Sequence, residues 1–262
     1  MLDFELKAQY DLVDLEKLVA LLRSENGCPW DRIQTHESIR RNFIEEAYEV
    51  AEAIDQKDPE HLKEELGDVL LQVMFHSRIE EEAGNFNIND VADAICKKLV
   101  YRHPHIFEGT KVIDTNEVLE NWEELKRLER NQETIGSGMD HVAGSLPALW
   151  RAEKIQSKAA KAGFDWDDIT AALSKLSEEL EELKTAVLND SNKEEELGDL
   201  LFAAVNVARY ISCDPEIALN ASSDKFIFRF KHLERRAHEL GRELTEMSLP
   251  EMDKLYDEAK KL

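Results

Sequence analysis

Apolar residues recur at three- and four-residue intervals over long stretches of the chain, the spacing that gathers side chains on one face of an α-helix. Phe43, Ala47, Val50, Ala51 and Ile54 form one stripe that ends before Asp58-Pro59. Leu62, Leu66, Val69, Leu70 and Val73 form the next, which runs to about Glu82. Later in the chain Leu173, Leu176, Leu180 and Leu183 make a third stripe, and Leu197, Leu200, Leu201, Ala204, Val205 and Ala208 a fourth. The connection within each pair is short, so its helices are expected to run antiparallel as neighbours. Asn85 to Asp90 and Ser212 to Pro215 then turn the chain into a further helix in each half. Phe226-Ile227-Phe228 is the one β-like run, and the fold class expected is all-α, built from helical-bundle units.

The pattern occurs twice. Gly27-Cys28-Pro29-Trp30-Asp31 and Gly163-Phe164-Asp165-Trp166-Asp167 both read G-x-x-W-D. Glu45 to Glu49 and Glu178 to Glu182 both read E-E-x-x-E, and Glu64-Glu65-Leu66-Gly67-Asp68 is identical to Glu195-Glu196-Leu197-Gly198-Asp199. Lys98 and Arg102 share K-x-x-x-R with Lys225 and Arg229, and the Asn121 to Lys126 segment parallels Leu255 to Lys260. Order and spacing are kept throughout, so a helical unit has been duplicated. Residues 131–145 hold three of the ten glycines and read as a linker, which gives domains over 1–130 and 146–262.

Composition narrows the class of partner. Gly and Pro are scarce, at 10 and 6 residues, which argues against turn-rich β architectures. The net charge of −23 would repel a nucleic-acid polymer. No apolar run is long enough to span a membrane, the start lacks a secretion signal, and three scattered cysteines suggest neither disulfides nor zinc; a cytoplasmic location is expected. A phosphate partner would need a local reversal of sign by a divalent cation or by placed Lys and Arg.

The duplicated acidic blocks supply such a device. Glu46 with Glu49, and Glu65 with Asp68, share helix faces, as do Glu179 with Glu182 and Glu196 with Asp199. Four carboxylates facing each other across an antiparallel pair would repel strongly unless a cation joined them. Ligation by oxygen alone selects a hard ion, Mg²⁺ or Mn²⁺. A single E-x-x-E pair on a helix is usually a solvated face; recurrence on consecutive helices of both halves argues against that reading here. Gly67 and Gly198, each inside an acidic helix, imply close helix approach or ligand access. Glu45, Glu64, Glu178 and Glu195 adjoin the proposed ligands as outer groups or as a general base, roles that spacing does not separate.

Lys98 with Arg102 and Lys225 with Arg229 place paired cations on one helix face, suited to the oxygens of a polyphosphate beside a bound metal. Taken alone they would be a basic stripe on an acidic surface. There is no P-loop and no Rossmann glycine pattern. Trp30, Trp166, Trp122 and Tyr256 are either partly buried anchors or surfaces on which a base stacks. His103-Pro104-His105 reads as a capped turn rather than a metal site. Asn206 lies two turns beyond Asp199 on the same face, where it could bond a ribose or base; Phe75 stands at the first-half position.

Asn26 to Asp31, the E-E-x-x-E and E-L-G-D blocks, Arg102-His103-Pro104-His105 and Gly163 to Trp166 together closely resemble the MazG family of nucleoside triphosphate pyrophosphohydrolases. The likeness covers nearly the whole chain from about Leu12. It implies the all-α NTP pyrophosphatase fold, a homodimer, and Mg²⁺-dependent hydrolysis of NTPs or dNTPs to the monophosphate and pyrophosphate. It implies further that the second copy is the catalytic one, with Glu179, Glu182, Glu196 and Asp199 as metal ligands and Lys225 and Arg229 as nucleotide-binding cations. Tyr256 stands where two-copy relatives commonly carry Trp. The first copy keeps its acids, Glu46, Glu49, Glu65 and Asp68, and its cations, Lys98 and Arg102, so turnover there, or binding without it, stays open. The rival readings are an acidic helical interaction or nucleotide-binding protein without turnover, and a di-iron bundle, which would need E-x-x-H pairs that neither half supplies.

Overall fold

The computed structural model describes residues 4–108 and 134–261, together with positions 114, 118, 121, 122, 125, 126, 128 and 129 between them. Glu123, Glu124 and the linker residues 131–133 lie outside the described set. The described residues form helices and connections, with no strand among them. Phe226-Ile227-Phe228 is helical: it sits within one 25-residue helix whose period overrides the local β preference of its aromatics.

The chain divides into two compact units, Met1–Lys126 and Arg127–Leu262. In the first, α1 (Leu12–Arg23), α2 (Pro29–Arg32), α3 (His36–Gln56), α4 (Pro59–Ala83), α5 (Ile88–Arg102) and α6 (Pro104–Phe107) follow in order. In the second come α7 (Ile135–Asp140), α8 (Ala148–Lys161), α9 (Ile169–Asn189), α10 (Lys193–Tyr210), α11 (Pro215–Glu239) and α12 (Leu249–Glu258). Within the stretch 131–145 the described residues from Thr134 onward include the short helix α7. Thr134 and Ser137 cap one another to start α7, which packs on α8 and belongs to the second unit.

Local chemistry sets the element boundaries. Asp58 caps the first amides of α4 with Pro59 in its first turn, and Gly84 ends that helix in the left-handed region at φ 78°. Thr35 and Ser38 form a capping box before α3, which stops at Lys57 with φ 56°. Asp168 caps α9, and Asp214 caps α11 while also accepting the Trp150 indole N–H at 2.9 Å. The two G-x-x-W-D glycines serve different needs. A Cβ at Gly27 would sit 2.2 Å from the carbonyl oxygen of Leu21, whereas Gly163 meets nothing but holds φ at 83°.

The α3–α4 pair and the α9–α10 pair are the most extensively packed in their units, and the short loops make each antiparallel. Val19, Ile39, Met74 and Phe75 form the core of the first unit. Leu233, Ala237, Met247 and Leu255 form a core in the second, between α11 and α12. Several members of the predicted stripes are nevertheless bare: Ile54 and Leu66 are 56% and 51% exposed, Leu197 and Leu201 48% and 49%. The carboxylate-bearing pairs therefore keep one apolar flank unfilled by their own unit.

The first unit has a polar tie that the second lacks. His36 Nδ1 meets His76 Nδ1 at 2.7 Å, His36 Nε2 meets Glu80 at 2.6 Å, and Glu80 accepts from Asn85 at 2.6 Å. One proton fits between the facing Nδ1 atoms, so one ring donates and the other accepts, and the two rings cannot both be charged within the tie. Burial, then the nearby His36, lowers the His76 pKa. Hydrogen bonds from Asn85 and His36 lower that of Glu80. A lowered histidine pKa means that the unfolded chain takes up the proton first. The stability from His76 is complete above its unfolded value of about 6.5 and is lost as pH falls below it. That from Glu80 is present above about 4.5 and lost below. His76→Val, which installs the residue found at Val207 in the other copy, is expected to flatten the fall in melting temperature between pH 7.5 and 5.5. Equal slopes for wild type and variant would show that the tie does not titrate in this range.

Candidate active site

Helix α9 carries Glu178, Glu179 and Glu182, and α10 carries Glu196 and Asp199, so the antiparallel pairing sets the two acidic blocks side by side. Glu179, Glu196 and Asp199 can each offer an oxygen within 4.8 Å of the others. In the first unit Glu46, Glu49 and Glu65 do the same. The expected four-carboxylate convergence is therefore three in each unit, with a different fourth member set apart: Glu182 in one, Asp68 in the other. Both remain within electrostatic reach. Burial and then Glu179 raise the Glu182 pKa, and Asp68 is among the charges that raise Glu46 after burial and the Glu49 hydrogen bond. Glu65 is also raised, first by burial and then by Glu49.

Glu179 is the most enclosed of these acids, at 6% exposure, and its Oε2 is buried without a partner. A buried carboxylate oxygen left unpaired costs more than an ordinary hydrogen bond returns. An all-oxygen donor set with an orphaned buried oxygen fits a hard divalent cation. The other oxygen, Oε1, is paired with Lys175 Nζ at 2.7 Å, and Lys175 also holds Glu178 at 2.7 Å. These two carboxylates keep the Lys175 ammonium charged well above its ordinary range. Lys175 was not singled out from the sequence, although its position four residues before Glu179 is the spacing of a helical ion pair. The first unit has Asn42 there, and in its cluster His61 Nε2 meets Glu65 at 3.1 Å.

The second-unit cluster opens onto a cleft of about 530 Å³. Glu179, Asp199 and Lys175 line one part of it, and Trp166, Phe164, Phe202, Ile155 and Met139 supply flat apolar walls. Asn206 and Gln156 are the amides on its lining. Arg209 ties the wall together: Nη1 donates to Asp165 at 2.8 Å, Nη2 donates to the same carboxylate and to Asn206 Oδ1 at 2.7 Å. Tyr210 donates its hydroxyl to the Trp166 carbonyl. Arg209 in turn holds the Asp165 carboxyl below its usual range. Glu182, Glu178 and Glu196 line a second, acidic recess of about 440 Å³ with Thr185 and Asn192. Glu196 lines the acidic recess and can bring an oxygen within 4.8 Å of Glu179 and Asp199, which line the cleft.

Other expected site residues lie elsewhere. Lys225, Arg229 and Tyr256 are not among the cleft-lining residues; Arg229 lies 5.8 Å from the Tyr256 ring, beside Phe226. Lys98 is exposed, but Arg102 is only 7% exposed and lies 5.3 Å from the Trp122 ring. Trp166 is 43% exposed and Trp30 58%, so neither is a buried anchor. His103 ends α5 and begins α6, its Nδ1 on the Leu99 carbonyl at 2.6 Å, which is the capped turn expected. One expectation is corrected. A Cβ placed on Gly67 or Gly198 meets nothing within 4 Å, so close helix approach inside the unit is not why those glycines are there.

A duplicated all-helical unit with carboxylate clusters that could hold a divalent cation, the second of them opening onto an aromatic cleft, is the architecture of metal-assisted hydrolases acting on nucleotide anhydrides. The MazG nucleotide pyrophosphohydrolase domain matches residues 34–107 and 168–234, and the chain belongs to that family of metal-dependent pyrophosphohydrolases. It is 42% identical over 241 residues to the nucleoside triphosphate pyrophosphohydrolase of Escherichia coli strain K12, covering 90% of this chain and 92% of that one. It is 42% identical over 247 residues to the nucleoside triphosphate pyrophosphohydrolase/pyrophosphatase MazG of Thermotoga maritima, covering 94% of each. The Bacillus subtilis protein YabN is 48% identical over 254 residues, 96% of this chain and 52% of that longer one. Among the described residues no helix is long and apolar enough to cross a membrane.

Proposed function

We propose that the protein hydrolyses nucleoside triphosphates to the monophosphate and pyrophosphate at the second-unit cluster, with Mg²⁺ as the resident cation. The observation that carries the reading is the junction of two unlike features: a carboxylate cluster with an orphaned buried oxygen, and an aromatic cleft of nucleoside size. Glu179, Glu196 and Asp199 would hold the ion, with Glu182 beside them. When bound, the ion supplies Lewis acidity toward the phosphate chain and toward water. Glu182, whose pKa is raised by burial and by Glu179, is suited to take the attacking water's proton. Lys175, on the cleft lining beside Glu179, would be within the site to meet phosphate oxygens, while Trp166 and Asn206 would orient the nucleoside. Released pyrophosphate from a panel of NTPs and dNTPs with Mg²⁺ is the test; absence of turnover on every member would leave a binding protein.

The first unit supports binding of a cation but not of a nucleoside. In the G-x-x-W-D register Arg23 stands where the second copy has Ala159, and in the E-L-G-D register Phe75 replaces Asn206. Both are buried and fill that space. The Arg23 guanidinium donates to the carbonyls of Asp31 and Gln34 at 2.8 and 3.1 Å, pairs with Glu82 at 2.9 Å and lies over the Phe75 ring at 5.5 Å. Catalysis is accordingly assigned to the second copy.

Lys225 and Arg229 project from a part of α11 where Phe226, Ile227 and Phe228 are 56%, 47% and 56% exposed. Three consecutive apolar residues cover about 200° of a helix's circumference, more than half of it, a pattern of burial rather than of a free surface. A homodimer covers them and the bare flanks of the acidic pairs, and brings the two cations to a substrate held in a partner's cleft. Light scattering is expected to give twice the chain mass of 30.1 kDa, and the chain mass itself would overturn this assembly.

A further inference from the structure

We propose that Gln156 reads the base of the substrate, its Oε1 accepting a hydrogen bond from a base N–H; this rests on the reading of the second-unit cleft as the nucleoside site. Gln156 lies on α8, lines the cleft and is only 6% exposed. Its Nε2 donates to the Phe202 carbonyl at 2.7 Å across the α8–α10 contact. That bond fixes which way the amide faces, because the flipped arrangement would set two acceptors against each other. The remaining atom, Oε1, is enclosed and has no partner in the protein. An acceptor held in that state is expensive unless a ligand supplies the donor.

The polarity of the second amide is fixed as well. Asn206 Oδ1 takes the Arg209 guanidinium at 2.7 Å, which leaves its Nδ2 free to donate. The wall thus offers one buried acceptor and one donor beside the flat faces of Phe202 and Trp166. Phosphate oxygens only accept, so the triphosphate cannot satisfy Gln156. A base edge carries both kinds of group and matches the apolar walls in shape. The amides also occur together: in the matching registers the first unit has Ala20 and Phe75, and there the space is closed by Arg23. An unpaired buried glutamine would be an odd feature to find only in the copy with an open cleft, unless the cleft's ligand uses it.

The experiment compares ATP with purine riboside triphosphate, whose base has ring nitrogens but no N–H. Wild-type protein with Mg²⁺ is expected to favour ATP by about 10- to 100-fold in kcat/KM, mostly through KM, because a site built to receive a donor discriminates against its loss. Gln156→Leu is expected to bring the ratio of the two substrates close to one. A wild-type ratio near one overturns the proposal, and would identify a ribose hydroxyl as the donor or leave Gln156 structural. A ratio retained in Gln156→Leu also overturns it, since another group would then be reading the base. The wild-type comparison decides the matter even if Gln156→Leu fails to fold, and Gln156→Met gives a second apolar variant of similar length. Failure of the underlying hydrolase reading looks different: neither triphosphate would release pyrophosphate at all.

Discussion

Replacing Glu179 by glutamine is expected to lower kcat for Mg²⁺-dependent pyrophosphate release by about three orders of magnitude, roughly 4 kcal/mol of transition-state stabilisation. Glutamine keeps the size and one oxygen of the side chain but removes its charge from the buried end of the cluster. Of the three convergent acids in the second unit, Glu179 is the one with an enclosed, unpartnered oxygen, so water cannot take the place of the missing ligand. The fold should survive, because Lys175 retains Glu178 at 2.7 Å when its bond to Glu179 weakens. The control is the duplicated position. Glu46→Gln makes the same change in a cluster whose nucleoside space is filled by Arg23 and Phe75, and should alter turnover by less than about twofold. Steady-state pyrophosphate release from both variants, with circular dichroism to verify folding, checks the pair. Equal losses would mean that both copies contribute to one reaction, and the assignment of catalysis to the second would fall.

The duplication, the helical class and the acidic pairs were legible in the sequence because each rests on short-range spacing. Residues three or four apart on a helix share a face whatever the tertiary structure, so Glu196 with Asp199 could be found without knowing the packing. What lay beyond reach depended on packing between distant elements. Which three of four carboxylates approach within 4.8 Å of one another depends on contacts between helices that spacing along one helix does not report. Gln156 carries no motif and becomes conspicuous only when Phe202, 46 positions later, occupies its N–H and leaves its oxygen bare. Apolar periodicity located the helices correctly but overstated the core, since it marks every face destined for burial without saying whether the chain or a second copy buries it. The identical K-x-x-x-R pairs concealed a difference of degree too: Arg102 is enclosed over Trp122, whereas Arg229, over Tyr256, is only half-buried.

Arg209→Met is expected to reduce kcat/KM by about 10- to 100-fold through KM, leaving kcat within a few-fold, and to cost about 1–2 kcal/mol of stability. The guanidinium touches no group proposed to take part in the chemistry. Its bonds run to Asp165 in the loop after α8 and to Asn206 on α10, so it joins two walls of the cleft and fixes the direction of the Asn206 amide. The pair is partly shielded, with side chains 18% and 25% exposed, which places its worth between that of a solvated ion pair and that of a buried one. Methionine keeps a side chain of similar reach but none of the donors, and removes the guanidinium that lies 5.0 Å from the Tyr210 ring. Without them, among the described side-chain hydrogen bonds, the segment carrying Phe164 and Trp166 keeps the Tyr210 hydroxyl as its tie to α10, and Asn206 is free to turn its oxygen toward the base. A double-mutant cycle separates this from general damage. Asp165→Asn should weaken substrate binding in the same direction, and the double variant should be little worse than Arg209→Met alone, because the two side chains act as one brace. A collapse in kcat at unchanged KM would instead put the guanidinium against the reacting phosphates, and the cleft would then have to be turned end for end, with the base toward the carboxylates' acidic recess and the triphosphate beside Arg209.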